Sequence, residues 1–453
     1  MAGNAFQQGP YAPVEAELTV FDLPVTGRIP PELNGRYLRN GPNPINLDDP
    51  GYGHWFTGPG MLHGVRLRDG KAEWYRNRWV RSRAVSQELK ETWPGGPDFD
   101  GNDFAANTHI LHHAGKLLAT VEAGALPYEI TPDLRTVGPC DFGGTLPGDF
   151  AAHTKIDTAT GDLHAVAYYW AWNDHVQHIV VGTDGKVKST TDVPVPDGPM
   201  MHDFALTPSY VVLMDLPITF SMDRAMAGDP LPYRWNPDHP PRLGLLPRDG
   251  GGEVRWFGIE PCFVYHTFNA YEEAGKVVLD VVRYDGAYDL ASLRGGALTL
   301  SRYTIDPADG TVRHEPLNDR LQEFPRIDER LVGARHRYGY SAVINDGMQP
   351  TLDGKLSDDA FKNVLLRYDF LTRAEESHDF GRDATAGEAV FVPSRPDSAE
   401  DDGYLMAYVH DPGRGSADLV ILAAQDFAGE PVARVHLPAR IPIGLHGNWV
   451  PDS

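Results

Sequence analysis

Four histidines share a local pattern that could hold a metal. His153 lies in Ala152-His153-Thr154-Lys155 and His202 in Met200-Met201-His202-Asp203-Phe204. His266 lies in Tyr265-His266-Thr267-Phe268 and His446 in Gly444-Leu445-His446-Gly447. Each stands beside small or hydroxyl residues at the edge of a strand-like run. The intervals between them are 49, 64 and 180 residues, too wide for one helix or hairpin. Convergence of the four on one ion therefore requires a fold that returns the chain repeatedly to a common axis. A neutral imidazole set of this kind suits Fe, Zn, Cu or Ni. It lacks the thiolates of structural zinc and the carboxylate of a two-histidine triad. Any single one of the 18 histidines is more ordinarily a surface or core residue, and His112, His113, His175 and His178 are read that way.

Three glutamates occur in apolar, strand-like settings where a solvated charge is out of place. They are Glu122 in Ala119-Thr120-Val121-Glu122-Ala123-Gly124, Glu323 in Leu321-Gln322-Glu323-Phe324-Pro325, and Glu388 in Gly387-Glu388-Ala389-Val390. Each alone reads equally as a strand-end glutamate. Beside the histidines they read as carboxylates that accept the second ring N–H of a ligating imidazole and fix its orientation.

The elements that would position these residues are strands. Helical periodicity is almost absent, and short apolar runs recur between turn residues. His63 to Val80 alternates around Asp69-Gly70, a strong hairpin signal. The pattern returns around Thr160-Gly161-Asp162, Asp184-Gly185, Ala274-Gly275 and Asp309-Gly310, and again in 365–379 and 405–424. Hairpins repeated to the end of so long a chain need a closed architecture, since an open sheet leaves edges exposed. At roughly 40–50 residues per propeller blade, 453 residues hold about seven blades plus long excursions, read at 217–247 and 345–362. With no linker or low-complexity tract, residues 1–453 are expected to form a single all-β domain.

Composition narrows the partners. The balance of 40 basic and 63 acidic residues, net −23, opposes nucleic acid and anionic lipid headgroups. The two cysteines, Cys140 and Cys262, make no disulfide framework, and a reduced compartment is the simpler assignment. Residues 1–8 have neither the basic nor the apolar part of a signal peptide, and no stretch is apolar for about 18 residues. The expectation is a soluble, cytoplasmic protein with no protein partner implied.

Taken together, the motifs resemble the carotenoid cleavage oxygenases, iron(II) enzymes built on a seven-bladed propeller. Leu33-Asn34-Gly35-Arg36-Tyr37-Leu38-Arg39-Asn40-Gly41-Pro42-Asn43-Pro44 is similar to the family's opening motif. Trp55-Phe56-Thr57-Gly58-Pro59-Gly60-Met61-Leu62-His63-Gly64 is similar to the next, with Pro59 where an aspartate is usual. Ala106-Asn107-Thr108, the glutamate segments and the four histidines follow in family order over nearly the whole chain.

The resemblance implies Fe(2+) held by His153, His202, His266 and His446, three of them oriented by Glu122, Glu323 and Glu388. It implies two open coordination positions, with Thr108 near them shaping O2 access. The implied reaction is cleavage of a C=C bond of an apolar alkene by O2 to two carbonyl products. In stilbene-cleaving relatives a lysine precedes the first of these glutamates; here Val121 stands there, which leaves a phenolate no cation. A carotenoid or apocarotenoid is therefore the leading substrate, and a phenolic alkene such as a stilbene or isoeugenol the alternative. Phe56 and Phe268 are tunnel-lining candidates on the same basis, though a core role is more common for phenylalanine. The run 216–222 with Met226, Leu231, Tyr233 and Trp235 is a candidate apolar mouth, with Phe220 as a substrate contact and a route to peripheral membrane contact; a loop packed back on the propeller is the competing reading. A non-catalytic propeller scaffold, and isomerisation or hydrolysis of a retinoid-like ester, are further alternatives.

Overall fold

The computed structural model describes residues 5–47, 52, 54–103, 106–250, 252–344, 361–381 and 384–452. Among the described residues, seven larger antiparallel sheets follow one another along the chain, each a blade of a β-propeller, and an eighth, two-stranded sheet stands apart from the ring. The expected turn chemistry is present. Asp69 and Gly70 both have positive φ (50° and 70°), as do Ala274 and Gly275 (50° and 76°), the combination that matches a two-residue turn to the twist of its strands. Asp69-Gly70 joins Met61–Arg68 to Lys71–Trp79 in blade one. Ala274-Gly275 joins Thr267–Glu273 to Lys276–Asp285 in blade five.

The ring is closed at both ends of the chain. The C-terminal strand Gly447–Pro451 is the inner strand of blade one and pairs with Gly35–Arg39, placing Leu38 opposite Asn448. Near the N-terminus, Thr19–Phe21 adds the outer strand of blade one and Val25–Gly27 completes the outer side of blade seven on Ala433–His436. Gly447 must be glycine for this closure, because a Cβ there would lie 2.4 Å from the Leu38 carbonyl oxygen. Arg66, almost fully buried, fastens the end by pairing with Asp452 at 2.6 Å. Tyr37, Val65, Tyr75, Met406, Leu419 and Ile421 fill the space between blades one and seven.

Two expectations about excursions change. In 217–247, Ile218–Phe220 pairs with Tyr233–Trp235 around the short helix Met222–Met226. Arg242–Pro247, however, is a blade-four strand on Tyr210–Asp215, so the excursion ends before it. Of the second excursion, 345–360 lie outside the described residues, and Phe361–Asp369 is already a strand of blade six. Cys140 and Cys262 are both buried free thiols. No helix among the described residues is long and apolar enough to cross a membrane.

Candidate active site

The propeller brings the start of every inner strand to its axis, and this one topological position supplies nearly the whole site. His446 enters Gly447–Pro451 of blade one, His153 enters Thr154–Ile156 of blade three, and His266 enters Thr267–Glu273 of blade five. His202 precedes Ala205–Leu206 of blade four. Blade two contributes Thr108 at the head of His109–His113. Glu323 lies in Gln322–Arg326 of blade six, and Glu388 between the two inner strands of blade seven. Glu122 comes from the loop just past Lys116–Thr120.

The four imidazoles meet. Ring centroids lie 4.4 Å apart for His153 and His202, 4.6 Å for His153 and His446, 4.9 Å for His266 and His446, and 5.1 Å for His202 and His266. Ligand-capable atoms of His153, His266 and His446 all fall within 4.8 Å of one another. Three carboxylates stand behind the rings. Nδ1 of His202 is 2.8 Å from Glu122 Oε2, Nδ1 of His266 is 2.6 Å from Glu323 Oε2, and Nδ1 of His446 is 2.9 Å from Glu388 Oε1.

These contacts decide the tautomers. With Nδ1–H donated to a carboxylate, Nε2 carries the lone pair and faces the axis. His202 Nε2 and His266 Nε2 are then 3.3 Å apart, and the buried His153 Nε2, 3.7 Å from Glu122 Oε1, has no hydrogen-bond partner among the described residues. Lone pairs gathered this closely in a buried place are unfavourable unless a cation sits among them. The donor set fits a divalent transition metal. A second group of ligand-capable atoms joins Glu122 to His153 and His202. Glu122 Oε2 already accepts from His202 and from the Tyr168 hydroxyl, which makes it an orienting acceptor.

Electrostatics follow the same arrangement. Burial, and then the neighbouring imidazoles, hold the His153 pKa well below its ordinary value, and burial lowers His446 against the pull of Glu388. Burial opposes protonation of His266 too, but Glu323 outweighs it and raises that pKa. Glu388 is driven the other way: burial would raise its pKa, yet Arg326 and His446 hold it far below the usual carboxylate range. Arg326 Nη1 is 3.2 Å from Glu388 Oε2, which also accepts from Gly447 N–H at 2.8 Å.

The cluster separates two cavities. Above it is an apolar one of about 370 Å³, walled by Phe56, Val121, Trp170, Leu231, Tyr265 and Phe324 and floored by His202, His266 and His446. Below it, along the axis, is a polar one of about 220 Å³ that reaches His153, Lys155, Asp203, Arg326 and Glu388. Thr108 lines the upper cavity, its hydroxyl donating to Asn107 Oδ1 at 3.0 Å. Phe56 and Val121 thus lie where the sequence reading expects substrate. Phe268 does not: it borders the lower cavity and packs against Phe370. Phe220 does not line the upper cavity either and sits behind Trp170 and Tyr233. Leu216, Ile218 and Tyr233 of the expected mouth are buried, whereas Met222 and Met226 are 59% and 81% exposed.

Several neighbours escape sequence reasoning. Tyr168 and Tyr284 (the latter at 3.2 Å) donate to Glu122 and Glu323, but nothing in their own segments marks them. His109 is a fifth imidazole, 5.5 Å from His446 by ring centroids. Its nitrogens are committed to the Ala152 carbonyl at 3.3 Å and the Asn448 amide at 3.0 Å, which removes it from the ligand set.

A seven-bladed propeller with histidines gathered on its axis beneath an apolar cavity is the class of protein defined here. Known proteins are similar to this chain over nearly its whole length. The family model described as retinal pigment epithelial membrane protein (RPE65) matches residues 11–451. A carotenoid cleavage oxygenase of Mycobacterium tuberculosis is 46% identical over 501 aligned positions, covering 99% of this chain and 98% of that protein. Cobalt-substituted Synechocystis apocarotenoid oxygenase superposes with a TM-score of 0.85 at 28% identity, covering 99% and 98% of the two chains. Pseudomonas brassicacearum lignostilbene dioxygenase does so with a TM-score of 0.86 at 29% identity and the same coverage. The chain belongs to the RPE65/carotenoid cleavage oxygenase family, a family of oxygenases.

Proposed function

We propose that this protein is an iron(II)-dependent dioxygenase that cleaves a C=C bond of a carotenoid or apocarotenoid. Insertion of the two oxygen atoms of O2 across the double bond gives two carbonyl products, with electrons supplied by the alkene itself. His153, His202, His266 and His446 would hold the metal, and bound iron(II) supplies the activation of O2. Glu122, Glu323 and Glu388 keep three imidazoles in the ligating tautomer. Phe56, Val121, Tyr265 and Phe324 exclude water and hold an apolar chain over the histidines. Thr108 borders the same space, where it would shape O2 access.

The observation that carries this reading is the apolar cavity resting directly on the histidine cluster, with Val121 and no lysine among the described residues of its wall. Likeness to an apocarotenoid oxygenase supports the polyene, and likeness to a lignostilbene dioxygenase keeps a phenolic alkene as the second reading. The two buried free thiols support a reducing, cytoplasmic location.

The test pairs metal analysis of the purified protein with O2 uptake after anaerobic iron(II) loading. An apocarotenal, a full-length carotenoid, a hydroxystilbene and isoeugenol are the substrates. About one iron per chain and uptake on a polyene are expected, and His202→Ala should bind no iron. Uptake on the phenolic alkenes alone would transfer the assignment to them, and Val121→Lys should then improve it. Absence of both iron and uptake would favour a binding scaffold.

A further inference from the structure

One acidic residue that lines the upper cavity, Asp103, is not used by the cleavage chemistry. Among the described lining residues the only acidic groups are Glu122 and Asp103, and Glu122 belongs to the histidine cluster, its Oε2 accepting from His202 and Tyr168. Asp103 is held in place from behind. Its Oδ1 accepts from the Tyr128 hydroxyl at 2.5 Å, and its Oδ2 from the Arg83 backbone N–H. The Tyr128 hydroxyl is itself fixed by the Trp93 indole N–H at 3.3 Å. No cation neutralises the carboxylate by direct contact among the described residues, since the Arg83 guanidinium pairs with Asp98 at 2.8 Å instead. Burial raises the Asp103 pKa against the pull of Tyr128 and the backbone.

Each carboxylate oxygen can accept two hydrogen bonds, so these contacts leave acceptor capacity on Asp103. Beside it, Ser82 also lines the cavity. Its hydroxyl oxygen accepts from Val85 N–H at 3.2 Å, which leaves its proton to donate. A rigid acceptor next to a donor, set in a mainly apolar wall, complements an alcohol, which donates and accepts at once. A carboxylate also repels a phenolate, so the match is to a hydroxyl that stays neutral.

We propose that Asp103, with Ser82 beside it, forms a subsite for a hydroxyl group carried on an end ring of the alkene substrate. This deepens the proposed polyene cleavage and rests on it. The preferred substrate class is then a hydroxylated apocarotenoid, and its unsubstituted analogue is the poorer ligand.

The two ideas can be separated by anaerobic binding to the iron-loaded protein, where no turnover occurs. Trp170 lines the cavity, so a bound polyene quenches its emission. Two apocarotenals of equal length, one with a ring hydroxyl and one without, are titrated against wild type, Asp103→Ala and Asp103→Asn. Wild type should bind the hydroxylated compound about tenfold more tightly, the scale of a hydrogen bond to a charged acceptor. In Asp103→Ala that ratio should fall to about one. In Asp103→Asn, which keeps the packing but not the charge, it should fall part of the way, and this variant carries the test if the alanine protein does not fold. Equal affinities in wild type, or a ratio unchanged by both substitutions, would overturn the subsite while leaving polyene cleavage intact. Binding of neither compound would overturn the polyene reading and the subsite with it.

Discussion

Asp203 accepts both the backbone N–H and the side-chain hydroxyl of Thr267, each at 2.9 Å, across 64 positions of chain. Its other oxygen is 2.9 Å from the Lys155 ammonium. Asp203 adjoins His202, Thr267 adjoins His266, and Lys155 is two residues from His153. One buried carboxylate therefore ties together the three blades that supply three of the four histidines. Burial would raise its pKa, but Lys155 and Thr267 hold it below its ordinary value. Asp203→Asn should cost about 1–3 kcal/mol in urea unfolding of the metal-free protein and speed metal release in a chelator competition. A variant with wild-type values in both would show that the blades align without this clamp.

Glu388 orients His446 while paired with Arg326 and the Gly447 N–H. Glu388→Gln keeps the shape and loses the charge that balances Arg326. Metal affinity should drop roughly 10–100-fold, the usual effect of removing a carboxylate behind a ligating histidine. Competition titration against a chelator of known affinity reads this directly; an unchanged constant would reduce Glu388 to a packing role.

His239 lies in the excursion beside the cavity and bridges two carboxylates, with Asp215 at 2.8 Å and Asp197 at 3.0 Å. Burial alone would lower its pKa, but the two carboxylates prevail and raise it. A histidine whose folded pKa exceeds the unfolded value of about 6.5 stabilises the fold fully below that value. The contribution disappears as pH rises through the folded pKa. Unfolding free energy should decline as pH rises from about 6.5 through the raised folded pKa, and His239→Gln should flatten that slope. An identical pH profile in the variant would remove His239 as its source.

Met222 and Met226 present exposed apolar side chains on the short helix Met222–Met226, while Leu231 of the same excursion lines the cavity. With a net charge of −23, attachment to a membrane has to be apolar and not electrostatic. Replacing both methionines by serine should slow turnover of a vesicle-embedded carotenoid several-fold more than that of a detergent-dispersed one. Equal slowing on both would leave the helix with no membrane role.

Strand content, hairpin turns and closure were legible in the linear chain because they depend on local patterns. Asp69-Gly70 and Ala274-Gly275 mark their turns through backbone preference alone, and alternation marks the strands they join. The histidines and glutamates were legible for a related reason. Each histidine stands just before an inner strand, and each glutamate is a charge in an otherwise apolar strand-like segment.

Partnerships were another matter. Nothing local pairs Glu122 with His202 across 80 positions, excludes His109 from the ligand set, or turns Phe268 toward the lower cavity. Nor does the chain near Asp103 indicate that it borders an apolar cavity. Sequence by itself determined the all-β repeat, the ring it must close, and the histidines and glutamates that gather on its axis, because backbone propensity and side-chain type are properties of short segments. Tertiary structure alone decided which carboxylate fixes which imidazole and which cavity each side chain faces. Hydrogen bonds and cavity walls form between blades, where distance in the chain carries no information about distance in space.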